Sequence, residues 1–124
     1  MAIEQITLSR QAREQLIRLK RRTGIEHWNI LCRWALCRSL AEASVPPTTR
    51  HPADSNVEMT WKVFGGRHAD IYLALVEERC IVDGLPTDPE TVAQQFRLHV
   101  HRGISYLAAD RGITDIDALT ALAA

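Results

Sequence analysis

The sequence has no C-x-x-C pair, an odd number of cysteines and no long apolar run. Three cysteines, Cys32, Cys37 and Cys80, do not suit a disulfide framework or a cysteine-rich zinc site, and buried reduced thiols are expected. No stretch approaches the roughly 18 apolar residues of a membrane span. The opening "MAIEQITLSRQ" lacks the apolar core of a signal peptide, so a cytoplasmic protein with no membrane contact is expected. G-x-x-x-x-G-K-[ST], G-x-G-x-x-G and G-x-S-x-G are all missing, which removes the usual signs of phosphate-loop, dinucleotide and serine-hydrolase sites. No catalytic residue, metal-ligand set or cofactor is therefore assigned, and a non-enzyme is expected.

What is present fits an ordinary globular chain. The 124 residues are 46% hydrophobic and 24% charged, enough for one domain, 1–124, with its own core. The net charge of zero hides an asymmetry. Residues 1–40 hold eight basic and three acidic residues, whereas 41–124 hold seven basic and twelve acidic. A basic N-terminal third points to a local surface for something anionic.

"IEQITLS" alternates, which predicts a short strand with Ile6 and Leu8 on one side and Gln5, Thr7 and Ser9 on the other. Ser9 or Thr7 can cap the next helix, 10–23, whose inward face is Ala12, Leu16 and Leu19 and whose stop is Gly24. A second helix, 26–43, is apolar over most of its circumference and suits a core or a subunit interface. A loop over 44–56 follows, and "VEMTWKVF" alternates as a strand, with Val57, Met59, Trp61 and Val63 on one face. A third helix, 68–82, is predicted with Ile71, Leu75 and Val82 inward. The longest helix starts at Thr87 or Asp88, buries Val92, Ala93, Phe96, Val100, Ile104, Leu107 and Ala108, and ends at Gly112. A short last helix is predicted with Thr114 and Asp117 as its capping box. The fold class is mainly α: a compact single domain of four to five helices with one or two short strands.

Two side chains invite a metal reading, His99 and His101. On a helix a step of two turns the chain by about 200°, so the rings leave on opposite faces and cannot share an ion. Arg97, His101 and Ser105 then form a stripe expected to face solvent or a subunit. The stronger functional signal is the first helix. Arg10, Arg13, Arg18, Lys20, Arg21 and Arg22 put six cations in thirteen residues with Glu14 the sole acid among them, a pattern that can neutralise DNA phosphates. Arg33 and Arg38 are expected to contribute less, because the second helix is largely buried.

The order strand, basic helix, Gly24, apolar helix is ribbon-helix-helix-like. In such a protein two copies pair their strands in the major groove, and Gln5, Thr7 and Ser9 would face bases. A longer resemblance is carried by "NILCRWALCRSL" (29–40), "EMTWKVFGG" (58–66), "ADIYLALVEERC" (69–80) and "LHVHRGISYLA" (98–108). Together they resemble the DndE family, small proteins of DNA phosphorothioation, over residues 6 to 109. The resemblance implies an accessory role where sulfur replaces a non-bridging phosphate oxygen. It implies double-stranded DNA as a partner, whether intact, nicked or distorted. It further implies partner proteins: a cysteine desulfurase, an ATP-pyrophosphatase-like protein and an ATPase. A homo-oligomer, a tetramer among the options, is expected. The rival readings are a ribbon-helix-helix repressor, a protein-only scaffold, and a sulfur carrier using Cys32, Cys37 or Cys80.

Overall fold

The longest helical period in the chain becomes the axis of the fold. In the computed structural model, which describes residues 3–123, the elements are β1 (Gln5–Thr7), α1 (Arg10–Thr23), α2 (Trp28–Leu40), β2 (Glu58–Thr60), α3 (Trp61–Gly65), α4 (Ala69–Val82), α5 (Pro89–Ala109) and α6 (Ile116–Ala121). A single 3-10 turn, Gly66–His68, joins α3 to α4. The described residues share one hydrophobic core, and the architecture is mainly α.

Helix α5 is buried on nearly every side. Val92, Phe96, Val100, Ile104 and Leu107 enter the core, as expected, and Leu98, His99, His101 and Arg102 are buried too. Asp88 is its cap, accepting from the Thr91 N–H, with Pro89 in the first turn. Its end comes at Ala109, three residues before Gly112. There the Asp110 carboxylate accepts from the Gly112 N–H instead of letting the helix continue. The largest interface is with α2. At its centre Gly103 lies against the Ala35 backbone: a Cβ on Gly103 would stand 1.7 Å from the Ala35 carbonyl oxygen. The close crossing therefore requires glycine.

The N-terminal third follows its sequence. Ala12, Leu16 and Leu19 are buried, Ser9 caps α1 by accepting from the Ala12 N–H, and Gly24 ends it with a positive φ of 75°. Helix α2 is shorter than predicted, 28–40, and at and beyond its C-terminal end Arg79 and Arg102 donate to the carbonyls of Ser39, Leu40, Glu42, Ala43 and Ser44. The strand differs from a ribbon-helix-helix half in its partner. β1 pairs antiparallel with β2 of the same chain, Ile6 opposite Met59. Ser9, expected to face bases, is a buried cap.

Three other expectations are corrected. The alternation through "VEMTWKVF" gives a strand only at 58–60. Thr60 then accepts from the Val63 N–H and starts α3, so Trp61 and Phe64 join the core while Val63 is exposed. Trp61 stacks on Phe64 at 5.2 Å, and Phe96 meets both rings edge-on. In α4 the inward row is Val76 and Cys80, helped by Ala69, Tyr72 and Leu73. Ile71, Leu75 and Val82, predicted inward, are 53%, 43% and 71% exposed. Apolar residues on all sides of this helix leave the sequence no way to choose a face. Finally, α6 is capped by Asp115, which accepts from the Ala118 N–H, and not by Thr114.

Candidate nucleic-acid interface

The six cations predicted to meet DNA divide into two groups on α1. The core face is fixed by Ala12, Leu16, Leu19 and Thr23. Residues about half a turn away must face outward, and Arg10, Arg18 and Arg21 are exposed there. Eleven residues separate Arg10 from Arg21, about 16 Å along a helix at its usual rise. Glu14 is exposed between them.

The other three are half-buried on the flanks. Arg13 has no side-chain hydrogen bond among the described residues. Lys20 holds its Nζ 3.8 Å from the centre of the Trp28 ring, a cation–π contact that fixes the start of α2 against α1. Arg22 donates from Nη1 to the Ala108 carbonyl at 2.9 Å and so ties α1 to the end of α5. Lys20, Arg21 and Arg22 also oppose the negative end of the helix dipole. The outward row of Arg10, Arg18 and Arg21 is the part of the predicted site free for an outside anion.

Five of the other arginines act within the fold, whereas Arg50, Arg67 and Arg111 are exposed. Arg33 donates to the carbonyls of Val63 and Phe64, and Arg38 lies 4.9 Å from the Tyr106 ring. Arg79 pairs with Asp83 at 3.0 Å and also donates to the carbonyls of Leu40, Glu42, Ala43 and Ser44. Arg102 donates to Ser39 Oγ, to the Ser39 carbonyl and to Ser44. Arg97 donates to the carbonyls of Thr7 and His51. These three clip the 41–56 loop to the body of the protein. Sequence reasoning missed them because their partners are carbonyls remote in the chain, which leave no motif.

His99 and His101 diverge as expected, yet neither reaches solvent. Of the Arg97–His101–Ser105 stripe expected on the surface, Ser105 is exposed, whereas His101 is buried and Arg97 half-buried against His51 of the loop. His99 Nδ1 lies 2.8 Å from Ser39 Oγ. A serine beside an imidazole has the elements of a nucleophile–base pair, but both are sealed in the core, at 0% and 1% exposure. Burial, reinforced by Arg102 and Arg79, pushes the His99 ring down to about 4. His101 is pushed down to about 4 as well, chiefly by burial.

The cysteines separate. Cys32 and Cys80 are buried, as expected, and Cys37 is exposed. Burial raises all three thiols, Cys32 to about 12, and a raised thiol is a poor source of thiolate. Among the described residues no group of three His, Cys, Asp or Glu could hold a metal ion. No helix among them is long and apolar enough to cross a membrane.

The chain is thus a mainly α domain built on a buried central helix, with one basic helix turned outward. The sequence profile of the DNA sulphur modification protein DndE matches residues 5–115. The chain belongs to the DndE family. Its fold is similar to the crystal structure of DndE from Escherichia coli B7A, a protein involved in DNA phosphorothioation modification. The TM-score is 0.71 at 24% identity, covering 86% of this chain and 98% of that one. A DndE glycine-to-lysine double mutant, also described as involved in DNA phosphorothioation, has a TM-score of 0.61 at 18% identity, covering 83% and 96%. No curated protein matches the sequence.

Proposed function

We propose that the protein is a DNA-binding accessory subunit of the phosphorothioation machinery. It would hold duplex DNA by its phosphate backbone while partner proteins, among them a desulfurase, an ATP-pyrophosphatase-like protein and an ATPase, carry out the chemistry. The observation that carries the reading is the outward row Arg10, Arg18 and Arg21 on α1 of a DndE family member. Phosphate contacts by such a row are independent of sequence and sensitive to salt. Three contacts correspond to a slope of about −2.7 in log K against log salt; six would give about −5.4.

The test is a fluorescence-anisotropy titration of duplex DNA at several salt concentrations. Reversing the charge at Arg10, Arg18 and Arg21 together is expected to abolish most binding and flatten the slope. Unchanged affinity and slope in a folded triple variant would remove α1 as the interface. Random-sequence duplex is expected to compete equally. That outcome also disfavours the repressor reading, which β1 already weakens by pairing within its own chain.

Self-association is part of the same reading. Ile71, Leu75, Ile81 and Val82 of α4 are exposed, and Ile30, Trp34 and Tyr72 line an apolar groove between α2 and α4. A second copy covering this face would remove an apolar patch from water. Solution mass is the measurement, and Leu75→Asp is expected to lower it.

A further inference from the structure

His101 binds three elements together through a neutral ring. Its Nδ1 lies 2.8 Å from the Arg97 carbonyl, and a carbonyl only accepts, so Nδ1 carries the proton. Its Nε2 accepts from the Ser9 N–H at 3.3 Å, so Nε2 carries none. Both nitrogens are committed, and only one tautomer satisfies them. On its face the ring stacks against His51 at 4.2 Å and 15°. Ser9 caps α1; His51 belongs to the 44–56 loop. The same loop is fastened to the start of α1 by Asp54, which accepts from the Arg10 N–H at 2.7 Å, and to Leu8 by Ser55.

We propose that His101 is a proton-sensitive latch: a proton on Nε2 releases the Ser9 amide and the His51 ring, freeing the 44–56 loop and the start of α1 while the α2–α5 core stays closed. Protonation converts Nε2 from acceptor to donor, so it faces the Ser9 N–H donor to donor. The surroundings give the new charge little relief. His51 from the loop stacks on it, Arg97 lies one turn before it on α5, and Arg102 and Tyr106 border the cavity on its far side. On the strand side, Glu4 is the carboxylate that lines the cavity beside the ring, and it is exposed. Asp54 is occupied at the Arg10 amide. Burial and the charges of His51 and Arg97 accordingly hold the ring low, and burial with Arg97 lowers His51 too.

Two measurements test the latch. Nitrogen-15 NMR of the wild-type ring at neutral pH is expected to show the Nδ1-protonated tautomer; the Nε2-protonated form would overturn the proposal without any variant. Hydrogen exchange, corrected for intrinsic rates, is then followed from pH 7 to pH 5. The Ser9 amide is expected to lose about twentyfold protection, the factor set by a ring near 4 when latched and 6.5 when free. Amides at Ala35 and Ile104 are expected to stay protected, and His101→Gln, which cannot titrate, to make Ser9 insensitive to pH. Flat protection at Ser9 in the wild type, a Ser9 amide no less protected than those of Ala35 and Ile104 at pH 5, or the same acid transition in a folded His101→Gln protein would each overturn it.

Discussion

Helices α1 and α5 are both rich in cationic and titratable side chains, and they use them in opposite ways. On α1 the apolar residues fall on one face, so Arg10, Arg18 and Arg21 stand outward. On α5 core and covering loop surround the helix, so Arg97, His99, His101 and Arg102 are turned onto carbonyls and a serine. The outward charges of α1 are a surface property; the charges of α5 are fastenings. The difference is set by what packs against each helix, not by the residues themselves.

Substitutions should separate the two helices sharply. The largest effect is expected from Gly103→Val, which drives side-chain atoms into the Ala35 backbone; overpacking of this kind costs about 3 kcal/mol or more. A thermal melt followed by circular dichroism should show loss of the folded state. Arg102→Ala is next. It removes the charged hydrogen bonds to Ser39 Oγ and to the Ser39 and Ser44 carbonyls, the last of which Arg79 still holds, a loss of roughly 2–3 kcal/mol, read as a lower urea midpoint. DNA affinity per folded molecule should hold. The mirror case is Arg21→Ala, where DNA affinity falls and stability stays within about 0.5 kcal/mol.

Acid sharpens the same contrast. His99 and His101 are neutral when folded, at about 4, and take protons near 6.5 when unfolded. Between these values the unfolded chain binds more protons. Stability is therefore full above about pH 6.5 and falls steadily toward pH 4, by up to roughly 3 kcal/mol for each ring. Urea titrations at stepped pH should show this decline, and His99→Gln or His101→Gln should shallow it. The smallest effect is expected at Lys20→Ala, which removes the cation over Trp28. It should change tryptophan fluorescence while lowering stability by about 0.5–1 kcal/mol.

The contrast also marks what a sequence can disclose. The inward face of α1, its Ser9 and Gly24 caps and the core row of α5 follow from local period and local hydrogen bonding, and all are legible. The facing of α4 is not, because Ile71, Leu75, Val76 and Cys80 offer competing apolar rows. The turn from β2 into α3 is hidden because Val57, Met59 and Trp61 keep alternating across it. In the site, the outward cations of α1 are legible as a set. That Lys20 and Arg22 are held by Trp28 and Ala108 is not, since those contacts come from other elements. The His51–His101 stack joins residues fifty positions apart that no local pattern links.

The Gly103–Ala35 crossing carries a genetic consequence. The two runs that mark the family resemblance in this sequence, "NILCRWALCRSL" and "LHVHRGISYLA", pack along one another, and their backbones come close at this crossing. A bulky side chain at 103 would collide with main-chain atoms of residue 35, and trimming the opposing side chain by Ala35→Gly leaves those atoms in place. Suppressor screens starting from Gly103→Val should therefore recover true revertants to glycine and few second-site changes at position 35.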